Sequence, residues 1–166
     1  MLATELMSKP VVCCTPWDTA QTAANLMKAH GVGAIPVVLD SADPLLEGIV
    51  TDRDLCCNVV AGAKNADAIQ IAEPMTHVPV TCEPDDTLEF CEELMQQNQV
   101  RRIPVVNKRG WCVGIVTQAD IALHAPVIQV AKTRRFPILR KRYGNWISRM
   151  AISIANSRTR STKSCY

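Results

Sequence analysis

The chain has 166 residues, 48% of them hydrophobic, 20% charged, and a formal net charge of +2. That length suits one compact domain, or two small halves sharing a core. No run of about 18 apolar residues is present, so no membrane-spanning helix is expected. The opening MLATELMSKP has neither the basic leader nor the apolar stretch of a secretory signal, and the expected location is the cytoplasm.

In chain order, residues 10–13 form a first short extended segment. Thr15-Pro16-Trp17-Asp18 then reads as a helix start, with Thr15 as N-cap, Pro16 at N1 and Asp18 at N3. Ala20, Ala23, Ala24 and Met27 give that helix an apolar face as far as His30. Two β-branched strands follow at 34–39 and 46–50, separated by a turn containing Asp43-Pro44, and a second helix starts at Thr51. The same order then returns. An extended segment at 78–81 precedes a helix with Pro84 at N1 that runs to Asn98. Strands at 102–106 and 111–116 flank Lys108-Arg109-Gly110, and a last helix starts at Thr117.

The recurrence is visible in the residues. A shift of 68 places Met7-Ser8 on Met75-Thr76, Leu26-Met27 on Leu94-Met95, and Ile35-Pro36-Val37-Val38 on Ile103-Pro104-Val105-Val106. The shift then drops to 66, which lays GIVTDRD at 48–54 on GIVTQAD at 114–120; a loop two residues longer at about 40–44 accounts for the change. The chain therefore divides into a first unit, 1–68, a second unit, 69–124, and a basic tail, 125–166. The expected fold class is α/β (α+β): two pseudo-symmetric strand-helix-strand-strand-helix units. One such unit is too small to close a core alone, so the two are expected to pack sheet to sheet.

Ile-Pro-Val-Val followed by G-h-h-T-x-x-D (h, apolar), written twice in order, resembles the CBS-domain pair, also called a Bateman module. The likeness covers residues 1–124. It implies pseudo-symmetric clefts for adenosine-containing ligands, pairing of two chains into a homodimer, and regulation of an effector protein in place of catalysis.

The motif has its own chemistry. Thr51 and Thr117 stand where strand becomes helix, so their hydroxyls can cap the helix and nearby N–H groups suit a phosphate. Asp54 and Asp120, three residues later, can accept hydrogen bonds from both vicinal hydroxyls of a ribose. T-x-x-D is equally a capping box that needs no ligand, and Thr15 with Asp18 repeats the pattern. Cations for a phosphate are Arg53, Arg101 and Arg102; their counterparts in the other copy are Ala119, Gly33 and Ala34, so the clefts are not equivalent. The resemblance further implies backbone contacts to the base from Val12, Cys13, Val80 and Thr81. It makes Ile35, Pro36, Ile103 and Pro104 apolar walls, positions that would serve equally as plain core. AMP, ADP and ATP are the first ligands to consider, with S-adenosylmethionine and NAD open.

Neither a G-x-x-x-x-G-K loop nor a Ser/His/Asp or Cys/His signature is present, so an enzyme is not expected. The eight cysteines include no C-x-x-C and the three histidines are far apart, which points to small apolar cysteines in a reducing compartment and to no metal. Charge separates body from tail. Residues 1–124 hold eight Lys/Arg against sixteen Asp/Glu, a balance of −8, whereas residues 125–166 hold ten Lys/Arg and no acid. In the tail, Trp146, Met150 and Ile154 suit a short helix after Gly144, and NSRTRSTKSCY is expected to be disordered. Such a tail fits an acidic surface of the body, an anionic membrane or a nucleic acid. The alternative function is accordingly a nucleic-acid-binding protein that uses the repeats as a dimerising scaffold.

Overall fold

β-Branched residues at alternate positions pack well on a pleated surface, and both Ile-Pro-Val-Val stretches accordingly start a hairpin. In the computed structural model, which describes residues 1–124, β1 (Ala34–Val38) runs antiparallel to β2 (Leu46–Thr51). The expected tail helix lies outside the described residues. A short β3 (Thr76–His77) extends this sheet along β2. The second hairpin, β4 (Arg102–Val106) with β5 (Cys112–Thr117), copies the first register: Ile35 faces Val50, and Ile103 faces Val116. Each hairpin shifts register once, at Val37/Val38 and at Val105/Val106. β1 is buried along its whole length, so both of its faces are covered.

Two helices begin later than the sequence suggests, whereas those expected at Thr51 and Thr117 begin there. α1 is a single turn, Ala3–Leu6. α2 (Ala20–His30) is capped by Thr19, whose hydroxyl accepts from the Thr22 N–H at 3.1 Å. Beyond α3 (Asp52–Leu55), which continues as a π-helical turn at Cys56–Val60, α4 (Leu88–Gln97) is capped by Thr87. Pro16 and Pro84 therefore do not occupy N1. The reason is a separate turn ahead of each helix. The Asp18 carboxylate accepts from Thr15 N–H at 2.6 Å and from its hydroxyl at 3.0 Å, and Asp86 accepts from Glu83 N–H at 2.7 Å. The carbonyls of Pro16 and Asp18 then accept from the amides of Ala72 and Ile71, not from the following helical turn. α5 (Gln118–His124) completes the described chain.

Residues 10–13 and 78–81 are not strands, contrary to expectation. Each leads into one parallel bridge, Cys14 with Val37 and Cys82 with Val105. Pro10 and Pro79 lack the N–H a ladder requires, and Val78 has a positive φ of 51°.

One feature is invisible in the alignment of the repeats. The segment that leads into each repeat packs on the other repeat. β3, at the start of the second copy, pairs with β2 of the first. Ser8, its counterpart, bridges Ile115 on β5, and Leu2 bridges Thr87 as Gln70 bridges Thr19. The apolar residues divide the same way. One cluster joins Ala23, Ile35, Val37 and Val50 to Ile71 and Met75. The other joins Cys91, Ile103, Val105 and Val116 to Ala3 and Leu6 from the chain's first turn. The hairpin loops also meet: Leu45 bridges Trp111, Leu46 N–H donates to Gly110 O at 3.0 Å, and Cys112 N–H donates to Pro44 O at 2.9 Å.

Candidate ligand clefts

Each G-h-h-T-x-x-D motif delivers its Thr and Asp to the junction of a strand with a helix. In the first, Asp54 Oδ2 accepts from Thr51 N–H at 2.9 Å and from the Thr51 hydroxyl at 2.7 Å, while Asp54 N–H donates to Thr51 Oγ1 at 3.2 Å. Thr117 and Asp120 repeat this geometry at 2.9, 2.7 and 3.3 Å. Both motifs are thus complete capping boxes. An ionised carboxylate has about four lone-pair sites, so a box that uses two still leaves acceptor capacity while fixing the rotamer.

The amides expected to receive a phosphate are already engaged in the first motif. Asp52 N–H donates to Gly33 O at 3.2 Å, Arg53 N–H to Asp52 Oδ1 at 2.8 Å, and Asp54 N–H to Thr51. The cap, the Gly33 carbonyl and the Asp52 side chain have together satisfied the donors that a bare helix end would expose. Charge must come from side chains instead. Arg102 pairs with Thr117 across its own hairpin, and its guanidinium extends to the first repeat. A Cβ built on Gly33 would lie 2.8 Å from Arg102 Nη2 and 3.0 Å from Asp52 Oδ2. An arginine of one copy therefore stands beside the T-x-x-D of the other. Arg53 and Arg101 are exposed.

The remaining candidates separate by burial. Val12, Cys13 and Val80 are half-buried and Thr81 is exposed. Ile35 and Ile103 are 0% exposed, and Pro36 and Pro104 are sealed as well. These four pack inside the protein as core, since full burial of β1 and the middle of β4 leaves their side chains no open face. Sequence reasoning missed Gly33 and Asp52. The absence of a side chain opposite the Arg101 position was its available signal, but the proximity of Arg102 is a tertiary fact. It also missed that Cys13 and Cys112 share one open depression of about 390 Å³. The neighbouring Cys112 holds the Cys13 thiol below its ordinary range, whereas outside the depression burial, helped by Asp18, pushes Cys14 up to about 12.

Two copies of one small fold, each with a capped T-x-x-D, match the CBS-domain family model over residues 3–60 and 68–126. The chain belongs to the CBS-domain family. Among relatives of this CBS pair, protein MK0525 of Methanopyrus kandleri is 33% identical over 75% of this chain and 62% of its own length. The CBS domain-containing protein YhcV of Bacillus subtilis is 38% identical over 72% of this chain and 82% of its own. Among solved structures, the CBS-domain pair of protein MJ0100, in complex with 5'-methylthioadenosine and S-adenosyl-L-methionine, is 26% identical. It covers 80% of this chain and 98% of its own, with a TM-score of 0.67. Among the described residues, no helix is long and apolar enough to cross a membrane.

Proposed function

We propose that this CBS pair is a cytoplasmic, non-catalytic sensor that binds an adenosine-containing small molecule and, as a homodimer, transmits its occupancy to an effector protein. The observation that carries the reading is the first motif. Asp54 is fixed by its capping box, with Arg102 arriving from the opposite repeat beside Asp52. A pre-oriented carboxylate with a cation at the same helix start is what a ribose bearing a phosphate requires. The ligands of the MJ0100 pair support the adenosine part. The arginine favours AMP, ADP or ATP over S-adenosylmethionine, whose sulfonium is itself cationic; NAD shares the adenosine and phosphate chemistry. Arg102 has only Ala34 as its counterpart, so the two clefts should differ in affinity.

Calorimetric titration with AMP, ADP, ATP, NAD and S-adenosylmethionine tests this. The double variant Asp54→Asn, Asp120→Asn keeps a capping acceptor in both boxes and removes both charges. Its affinity for the preferred ligand is expected to fall by roughly one to two orders of magnitude, since a bond to a charged acceptor contributes about 1.5–3 kcal/mol. Removal of residues 125–166 should leave binding intact. Unchanged affinity in the double variant, or no adenosine ligand bound by the wild type, would refute the proposal. The nucleic-acid alternative predicts the opposite pattern: binding lost with the tail and weakened steeply by salt.

A further inference from the structure

Two pairs of cysteines are close neighbours among the described residues, Cys13 with Cys112 and Cys82 with Cys91. Their surroundings differ. Cys82 and Cys91 lie in the core of one repeat, 4% and 0% exposed. Cys13 and Cys112 come from different repeats and line the open depression together with Val38, Ser41 and Pro44 of the first and Val113 of the second. Cys13 is half-buried, within reach of small solutes. Cys112 sits at the start of β5, where its N–H already ties it to Pro44 in the opposite hairpin loop.

We propose that Cys13 and Cys112 form a reversible oxidation site, at which hydrogen peroxide produces a disulfide that links the two repeats covalently. The neighbouring Cys112 holds the Cys13 thiol below its ordinary range, and Cys13 together with burial keeps Cys112 protonated. The Cys13 thiolate attacks one peroxide oxygen and the O–O bond breaks. The departing hydroxide takes up a proton to become water, leaving a sulfenic acid on Cys13. The Cys112 sulfur then attacks the Cys13 sulfur, the S–S bond forms, and the sulfenic hydroxyl leaves with the Cys112 proton as a second water. Two thiols lose two electrons and one peroxide becomes two waters. A dithiol reductant reverses the link by exchange. Access, not proximity alone, distinguishes this pair from the sealed one, so peroxide should select it.

The test uses the full-length reduced protein without nucleotide, so its result does not depend on the ligand proposal. The protein is treated with hydrogen peroxide, the remaining thiols are alkylated after unfolding, and peptides are mapped by mass spectrometry without reduction. The expected product is a crosslinked peptide pair containing Cys13 and Cys112, lost again on treatment with dithiothreitol, with Cys82 and Cys91 still alkylated. The oxidised wild type should also melt at a higher temperature than the reduced form, a gain that Cys13→Ser abolishes. A Cys82–Cys91 link forming first, or Cys13 and Cys112 oxidising without joining each other, would overturn the proposal. The wild-type map decides this even if the variant fails to fold.

Discussion

At the scale of single residues, the repeats show how far one backbone plan tolerates different side chains. Gly31 ends α2 in the left-handed region at φ 63°, and Val32 N–H donates back to Met27 O at 3.0 Å. The aligned position after α4 is Gln99, at φ 55°, with Val100 N–H donating to Met95 O at 3.1 Å. The closing geometry is the same, but only glycine adopts it without crowding its Cβ. Gln99→Gly should therefore raise stability by roughly 0.5–1 kcal/mol, read from the urea midpoint at unchanged slope. The bond from Gln99 Nε2 to Gln96 O that it sacrifices is exposed and offsets little of this. A lower midpoint would mean that the side-chain bond outweighs the backbone strain. The Thr–Asp pairs were legible at this scale, because capping and ribose recognition call for the same residues at the same spacing. The sequence could not show that the Gly33 carbonyl and the Asp52 side chain engage the remaining first-turn amides of α3.

At the scale of elements, the four hairpin strands came within a residue of expectation, since alternation and β-branching act locally. The starts of α2 and α4 did not, although α3 and α5 begin directly after Thr51 and Thr117 as expected. Thr15 with Asp18 has the spacing of a helix cap, yet the carbonyls that would feed a helix are taken by residues 71 and 72, more than fifty positions away. The exchanged lead segments belong here too. Leu6 lies near the chain's first residue and is 4% exposed, packed among Leu88, Cys91 and Ile103 of the second repeat. Leu6→Ala should cost about 2–5 kcal/mol. Hydrogen exchange should accelerate first in α4, β4 and β5, with α2, β1 and β2 following only as the whole protein loosens. Faster exchange confined to the first repeat would contradict the observed packing.

At the scale of the molecule, neither repeat is complete as written in the chain. The first borrows Ile71 and Met75, and the second borrows Ala3 and Leu6. A fragment of residues 69–124 should fail to fold alone, as judged by near-ultraviolet circular dichroism and one-dimensional NMR. Mixing it with a fragment of residues 1–68 should restore native dispersion. A folded isolated fragment would show that the exchanged segment adds little. By the same argument the intact protein should unfold in one transition.

The sequence alone determined the duplicated unit, its hairpins and the paired T-x-x-D motifs, because periodicity, turn chemistry and capping are written in residues a few positions apart. Only the tertiary structure decided which copy receives each lead segment, that Arg102 of one repeat attends Asp52 of the other, and that Cys13 meets Cys112. The physical reason is that the two repeats share one backbone plan and hairpin register. Two surfaces of the same backbone form offer each segment two homes, and local sequence carries no term that chooses between them; long-range burial and hydrogen bonding do.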